Sequence, residues 1–121
     1  MCGIAGFNSK NFSKSDLEKM TNSLNHRGPD AEGFYFDSEK HIGLGHKRLS
    51  IIDLSENANQ PMTSHCGRYI LVYNGEVYNY IDIAQDLNNI IWKTKSDSEV
   101  ILEAFVKWGI DFVHKLNGMF S

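Results

Sequence analysis

The chain has 121 residues, 41% of them hydrophobic and 12% aromatic, with a formal net charge of −3. That length makes one domain at most, with enough apolar residues to bury a core. The weak, dispersed charge argues against a nucleic-acid surface or a polybasic membrane segment, and no apolar run approaches the ~18–20 residues of a membrane span.

The chain opens Met1-Cys2-Gly3-Ile4-Ala5-Gly6-Phe7. If Met1 is removed, Cys2 carries a thiol and a free α-amine a short distance apart. The amine titrates near ~7.7–8.0 and the thiol near ~8.5, so a base and a nucleophile sit together at neutral pH. The plainer reading keeps Met1 and makes Cys2 a small buried residue at the start of a strand. Nothing at this end has the basic region and long apolar core of a secretory signal, and Cys2 and Cys66 are too few for a disulfide framework. A reduced, cytoplasmic protein is expected, so Asn11-Phe12-Ser13, which fits a glycosylation acceptor, carries no consequence. His26, His41, His46, His65 and His114 do not pair with cysteine at zinc spacing, and no glycine-rich phosphate loop is present. No metal or nucleotide site is expected.

Gly3 to Phe7 reads as a short apolar strand. Ser15-Asp16-Leu17-Glu18 fits a capping box that opens a helix with Leu17, Met20 and Leu24 on one face. Gly28-Pro29 stops it near Arg27. Gly33–Phe36 and Ile42–His46 read as paired strands around the charged turn Asp37 to His41. Ser55 to Pro61 is a loop. Tyr69 to Tyr73 is an unbroken β-favouring run that predicts a strand covered on both faces. Asn74-Gly75 taken alone is a hairpin signal; the alternative is a pair of donors for an oxyanion. Tyr80 to Leu87 reads as a short helix and Ile90-Ile91-Trp92 as a strand. Ser96-Asp97-Ser98-Glu99 caps the best helix, whose Val100, Ile101, Ala104, Phe105 and Trp108 repeat at helical spacing before Gly109. Phe112, Val113 and Leu116 add a turn or two, and Leu116 to Ser121 heads into a new strand. The mixture predicts an α+β fold of helices packed on antiparallel sheet. The stop at Ser121 reads as the front part of a longer protein.

Arg48, just after a strand, is either a surface ion-pair partner or a fork for a ligand carboxylate. Asp97, at the start of a capped helix, complements the helix dipole or anchors a ligand ammonium, and Glu76 could share that task or stay solvated. His26, Arg27 and Asp30 flank Gly28-Pro29, where turn chemistry alone asks only for the glycine and proline. Cys66 beside His65 is best read as a loop residue, since neighbours in a strand face opposite ways.

Taken together, Cys2-Gly3-Ile4-Ala5-Gly6, His26-Arg27-Gly28-Pro29-Asp30, Arg48-Leu49-Ser50-Ile51-Ile52-Asp53, Tyr73-Asn74-Gly75-Glu76-Val77-Tyr78-Asn79 and Ser96-Asp97-Ser98-Glu99-Val100-Ile101-Leu102 occur in one order. That order resembles the glutaminase domain of asparagine synthetase, a class II glutamine amidotransferase of the N-terminal-nucleophile type. The resemblance runs from residue 2 to residue 121. Relatives that aminate sugars or make purines share the Cys-Gly-Ile start but usually lack the Pro-Asp after Arg-Gly.

The resemblance implies a four-layer αββα sandwich of two antiparallel sheets, with residues 1–121 as a glutaminase domain incomplete at its C-terminal end. It implies that Cys2 is the nucleophile and its own amine the proton carrier. Asn74 and Gly75 would hold the oxyanion. Arg48 would bind the glutamine α-carboxylate and Asp97 and Glu76 its ammonium, while the backbone of Leu49, Ser50, Ile51 and Ile52 lines the pocket. The implied products are glutamate and ammonia, formed through a thioester, with ammonia passed to a synthetase domain or subunit. No cofactor is implied in this chain; ATP and magnesium would belong to the absent synthetase domain. Two other readings stay open: a glutamine-binding module without catalysis, and an interaction fragment or homo-oligomer that pairs through exposed sheet edges.

Overall fold

The structure, a computed structural model, describes residues 2–121; the expected removal of Met1 lies outside the described residues. Strands β1 (Gly3–Asn8), β2 (Ala31–Asp37) and β3 (Ile42–Arg48) form an antiparallel sheet in the order β1-β3-β2. The turn at His41, with φ 55°, joins β2 to β3 as a hairpin. Register pairs Gly3 with Lys47 and Ile4 with His46 across β1 and β3. Successive side chains alternate between faces. A side chain at Gly45 would strike Thr21 of the first helix, so the neighbouring His46 faces the opposite way.

That helix, α1 (Lys14–Asn22), covers one face of the sheet and buries Leu17 and Thr21 there. It starts two residues earlier than the Ser15 box predicts. Ser13 is the cap, accepting from the Asp16 N–H while Asp16 accepts from the Ser13 N–H. Aspartate thus does the work sought in Glu18, because the spacing from Ser13 suits it. The helix also ends at Asn22 rather than near Arg27. Leu24, Asn25 and Arg27 each bond three residues back, a tightened run of turns that leads the chain into Gly28-Pro29.

The second half holds short strands β4 (Met62–Thr63), β5 (Ile70–Leu71), β6 (Gly75–Val77) and β7 (Gly118–Phe120), with β4 pairing β5 and β6 pairing β7. Helix α2 (Tyr80–Asp86) and helix α3 (Asp97–Trp108) lie between them, and a 3-10 turn spans Gly109–Lys115. Gly109, at φ 62°, closes α3 in the left-handed region that glycine adopts without penalty. The core gathers Tyr73, Val77, Ile83, Leu87, Val100, Ile101 and Ala104, so α2 and α3 pack on the β6 segment. Helices on antiparallel sheets make the fold α+β, as the pattern predicts. No described helix is long and apolar enough to cross a membrane.

Three expectations fail here. Of Tyr69 to Tyr73 only Ile70–Leu71 is a strand, and both residues are half-buried rather than covered on both faces. Ile90-Ile91-Trp92 is not a strand: Ile90 and Trp92 lean on the core, while Ile91 is 87% exposed. The chain turns at Asn89 (φ 68°), and the next N–H groups, of Lys93 and Thr94, donate to the Glu99 carboxylate instead of to a strand. Asn74-Gly75 forms no hairpin turn. Gly75 is already in β6, and its partner strand comes from the far end of the chain, with Gly75 opposite Phe120.

Candidate active site

The register of the first sheet begins the site. Continuing the β1–β3 pairing one residue beyond Gly3↔Lys47 sets Cys2 across from Arg48, on the face turned away from α1. The Cys2 thiol is then held by Leu49: the Leu49 N–H lies 3.4 Å from Sγ, and Sγ lies 3.7 Å from the Leu49 carbonyl. The backbone of Cys2 is fixed as well, since its carbonyl accepts from Arg27 Nε at 3.0 Å. Asp30 holds the other side of this loop. Its carboxylate accepts from the Ser50 N–H at 2.7 Å, and its own N–H donates to the Arg48 carbonyl. Of the flanking residues that turn chemistry left unexplained, Arg27 therefore braces Cys2 and Asp30 the loop beside it.

Arg48 is not a surface ion-pair partner. It is 7% exposed, and its guanidinium donates to the Ser55 carbonyl and to Asn59 Oδ1, both at 2.7 Å, and to the Asp53 carbonyl. All three acceptors are neutral, so its charge stays available to an anion, and the planar fork retains donors for a carboxylate. Asp53 closes this loop onto the segment that leads into α3: its carboxylate accepts from the Lys95 N–H and the Ser55 N–H at 2.7 and 2.8 Å. Those hydrogen bonds, led by the one from Lys95, hold its carboxyl below the usual range.

The opposite wall is strand β6. Asn74 and Ser121 exchange both backbone bonds, at 3.0 and 2.9 Å, and Tyr78 donates to Asn117. In an antiparallel ladder the bonded and non-bonded pairs alternate. Tyr73, Gly75 and Val77 therefore turn their N–H groups to the other edge. The Tyr73 N–H donates to Gln60 Oε1 at 2.6 Å and the Val77 N–H to Asp97 Oδ2 at 3.0 Å. Gly75, between them, has an N–H with no ladder partner on the edge that carries Asp97.

Asp97 is 5% exposed at the start of α3, in the first turn of the helix. The bonds described for it, from the Val77 N–H and from the Tyr73 hydroxyl at 2.9 Å, both fall on Oδ2, which leaves Oδ1 for a ligand. Burial, then the neighbouring Asp97 charge, raises the Tyr73 phenol above its ordinary value, so it stays a donor. His46 is fully buried, with Nε2 3.2 Å from the Tyr73 carbonyl. A carbonyl only accepts, so Nε2 carries the proton. Burial lowers the His46 pKa from 6.5 to about 4, which keeps the ring neutral.

One cavity is lined by Cys2, Arg48, Leu49, Ile51, Ile52, Asn74, Gly75, Glu76 and Asp97. Of the site residues named from sequence, Ser50 alone is missing from that lining, its N–H taken by Asp30. Glu76 is exposed at the rim, and Asn74 Oδ1 is buried without a partner among the described residues. The structure adds Asp53, Ala58, Gln60, Tyr73, Ser96, Ser98 and Met119 to the lining, none of which is among the site residues named from sequence. Tyr73 and Asp53 stand inside the ordered motifs, but Gln60 has no signal beyond closing a loop before Pro61. No cluster of possible metal ligands occurs among the described residues. Cys66 lies in a turn, exposed and away from this lining.

A family model described as a glutamine amidotransferase domain matches residues 1–121. The chain is 38% identical over 129 residues to asparagine synthetase (glutamine-hydrolyzing) 1 of Bacillus subtilis (strain 168), covering 100% of this chain and 20% of that protein. It is 39% identical over 127 residues to asparagine synthetase (glutamine-hydrolyzing) 2 of the same organism, covering 100% of this chain and 17% of the relative. Amidase chry2 of Gibberella zeae is 37% identical over 135 residues, again over 100% of this chain and 20% of the relative. The chain thus spans about a fifth or less of the length of these relatives.

Proposed function

The chain belongs to the glutamine amidotransferase domain family, and from that premise we propose that residues 1–121 are a glutaminase domain that hydrolyses L-glutamine to glutamate and ammonia through Cys2. The observation that carries this reading is convergence: a thiol, a buried guanidinium, a buried carboxylate and an unladdered glycine N–H meet in one cavity. These are the groups that an amino-acid amide needs at its reacting carbon, its carboxylate and its ammonium.

In this reading Arg48 receives the α-carboxylate, and Asp97 Oδ1 with Glu76 receives the α-ammonium. The side-chain carbonyl carbon then lies against Cys2 Sγ. The Cys2 α-amine, free once Met1 is gone, takes the thiol proton, and the sulfur attacks. Negative charge develops on the amide oxygen, where the Asn74 side-chain amide and the Gly75 N–H stabilise it. The amine returns the proton to the leaving nitrogen, ammonia departs and a γ-glutamyl thioester remains. Water, deprotonated by the same amine, releases glutamate and restores the thiol. We propose that the ammonia passes to a synthetase domain or subunit for asparagine or a related amide, the partner that uses ATP and magnesium. The layers also fit the αββα sandwich: α1 lies outside the β1-β3-β2 sheet, and the Tyr73 segment meets that sheet's other face through His46.

The test joins mass spectrometry to an ammonia assay. Protein made in its native cell should lack Met1, release ammonia from glutamine, and be labelled at Cys2 by a glutamine-analogue electrophile. Cys2→Ala should lose turnover by at least ~1000-fold. Retention of Met1 in that protein would sink the proposal. Glutamine binding without ammonia release would make the domain a binding module instead.

A further inference from the structure

The Gly75 N–H sits between two tethered neighbours. On one side, the Tyr73 N–H is held by Gln60 Oε1 at 2.6 Å; on the other, the Val77 N–H is held by Asp97. Gln60 is 7% exposed, and its Nε2 reaches Ser98 Oγ at 3.1 Å, one residue past Asp97. One side-chain amide thus ties the strand that carries Asn74 and Gly75 to the first turn of the helix that carries Asp97. Tyr73 itself is gripped at every polar group: its N–H by Gln60, its carbonyl by His46, its hydroxyl by Asp97.

We propose that Gln60 is a positioning residue for the glutaminase reaction: through the Tyr73 N–H and Ser98 it fixes the Asn74–Gly75 donors at the distance from Cys2 that the developing oxyanion requires. The inference rests on the proposed function. Gln60 makes no described hydrogen bond to Arg48, Asp97 or the thiol, and Asp97 keeps its own bonds from the Tyr73 hydroxyl and the Val77 N–H, so the effect of Gln60 falls on the strand edge beside Gly75 and on the chemical step rather than on binding. Donors must stand where the oxyanion forms, and a displacement of about 1 Å costs up to about 100-fold in rate. A methionine at position 60 fills nearly the same volume but offers the Tyr73 N–H only a weak thioether acceptor, so the strand edge beside Gly75 is loosened.

The test uses the intact protein as its native cell makes it and compares it with Gln60→Met. Turnover of glutamine should fall about 10- to 100-fold with KM changed less than about threefold. Alkylation of Cys2 by iodoacetamide, followed on the Cys2 peptide to exclude Cys66, should keep its wild-type rate. That reaction displaces iodide at a saturated carbon and develops no oxyanion, so it reads the thiol alone. Active wild-type protein with an unchanged kcat in Q60M overturns the positioning role and leaves the glutaminase reading intact. So do KM and alkylation rates that shift along with kcat, since those mark a general disturbance. Wild-type protein that cannot hydrolyse glutamine overturns both. If Q60M does not fold, Ser98→Ala carries the test: loss of the second tether should lower kcat about threefold at constant KM, and a wild-type kcat there refutes the role.

Discussion

At the scale of single residues, the site depends on polar atoms that share one partner. Asp97 Oδ2 accepts from both the Tyr73 hydroxyl and the Val77 N–H, so the phenol helps set where Oδ1 points. Tyr73→Phe removes one of those bonds while keeping the ring in the core. We expect a loss of about 1 kcal/mol in stability by chemical denaturation. We also expect KM for glutamine to rise about three- to tenfold, read from initial rates. Unchanged KM would mean that the hydroxyl does not orient the carboxylate. Gly75 is constrained for another reason. A side chain there would strike the Met119 carbonyl and come within 2.6 Å of Phe120 Cα, in the paired strand. Gly75→Ala should therefore part β6 from β7 and abolish turnover, with backbone amide exchange at Glu76 and Met119 speeding up as the direct readout. Unaltered exchange would refute the packing argument.

At the scale of elements, the start of α3 binds several loops at once. Ser96 caps the helix through the Glu99 N–H at 3.4 Å. Glu99 does not return that bond as a capping box would. Its carboxylate accepts instead from the Lys93 N–H, the Thr94 N–H and hydroxyl, and His65 Nε2. Burial pushes its carboxyl up, but these donors, led by the Lys93 N–H, outweigh burial and lower it. Ser96→Ala should cost about 1 kcal/mol, the ordinary value of a cap. Glu99→Ala should cost more, about 2–4 kcal/mol, because it leaves the Lys93 and Thr94 N–H groups without their acceptor. Denaturant melts of the two variants would check the order, and equal losses would contradict it. The capping spacing in the sequence located the helix; it did not reveal that Glu99 supports the preceding loop, since that role depends on how residues 93–95 fold back.

For the whole molecule, the two halves meet where His46 of the first sheet reaches the Tyr73 carbonyl, in the segment between β5 and β6. Its pKa falls from 6.5 to about 4 because burial disfavours the cation. The folded state binds that proton more weakly than the unfolded chain. The stability it contributes is therefore present above pH 6.5 and is lost as pH falls from 6.5 towards about 4. Thermal midpoints should drop across that window, and His46→Gln, which can still donate to the Tyr73 carbonyl, should show a flatter dependence. Equal slopes would show that other groups control acid unfolding.

The sequence by itself determined the helix and strand types wherever a period ran long enough, as in α3 and the β2–β3 hairpin. It also determined which residue types could act on an amino-acid amide, because Cys2, Arg48, Asn74, Gly75 and Asp97 stand in recognisable short motifs. Those signals are local, and local chemistry is what a sequence displays. Only the tertiary structure decided that Asn74-Gly75 is a strand edge rather than a turn, because its partner strand β7 lies at the other end of the chain. Only the cross-strand register set Cys2 on the face of Arg48 and His46, and only packing drew Gln60 to the Tyr73 N–H. Hydrogen bonds between residues far apart in sequence leave no period and no spacing to read, so the supports of the site appear only once the chain is folded.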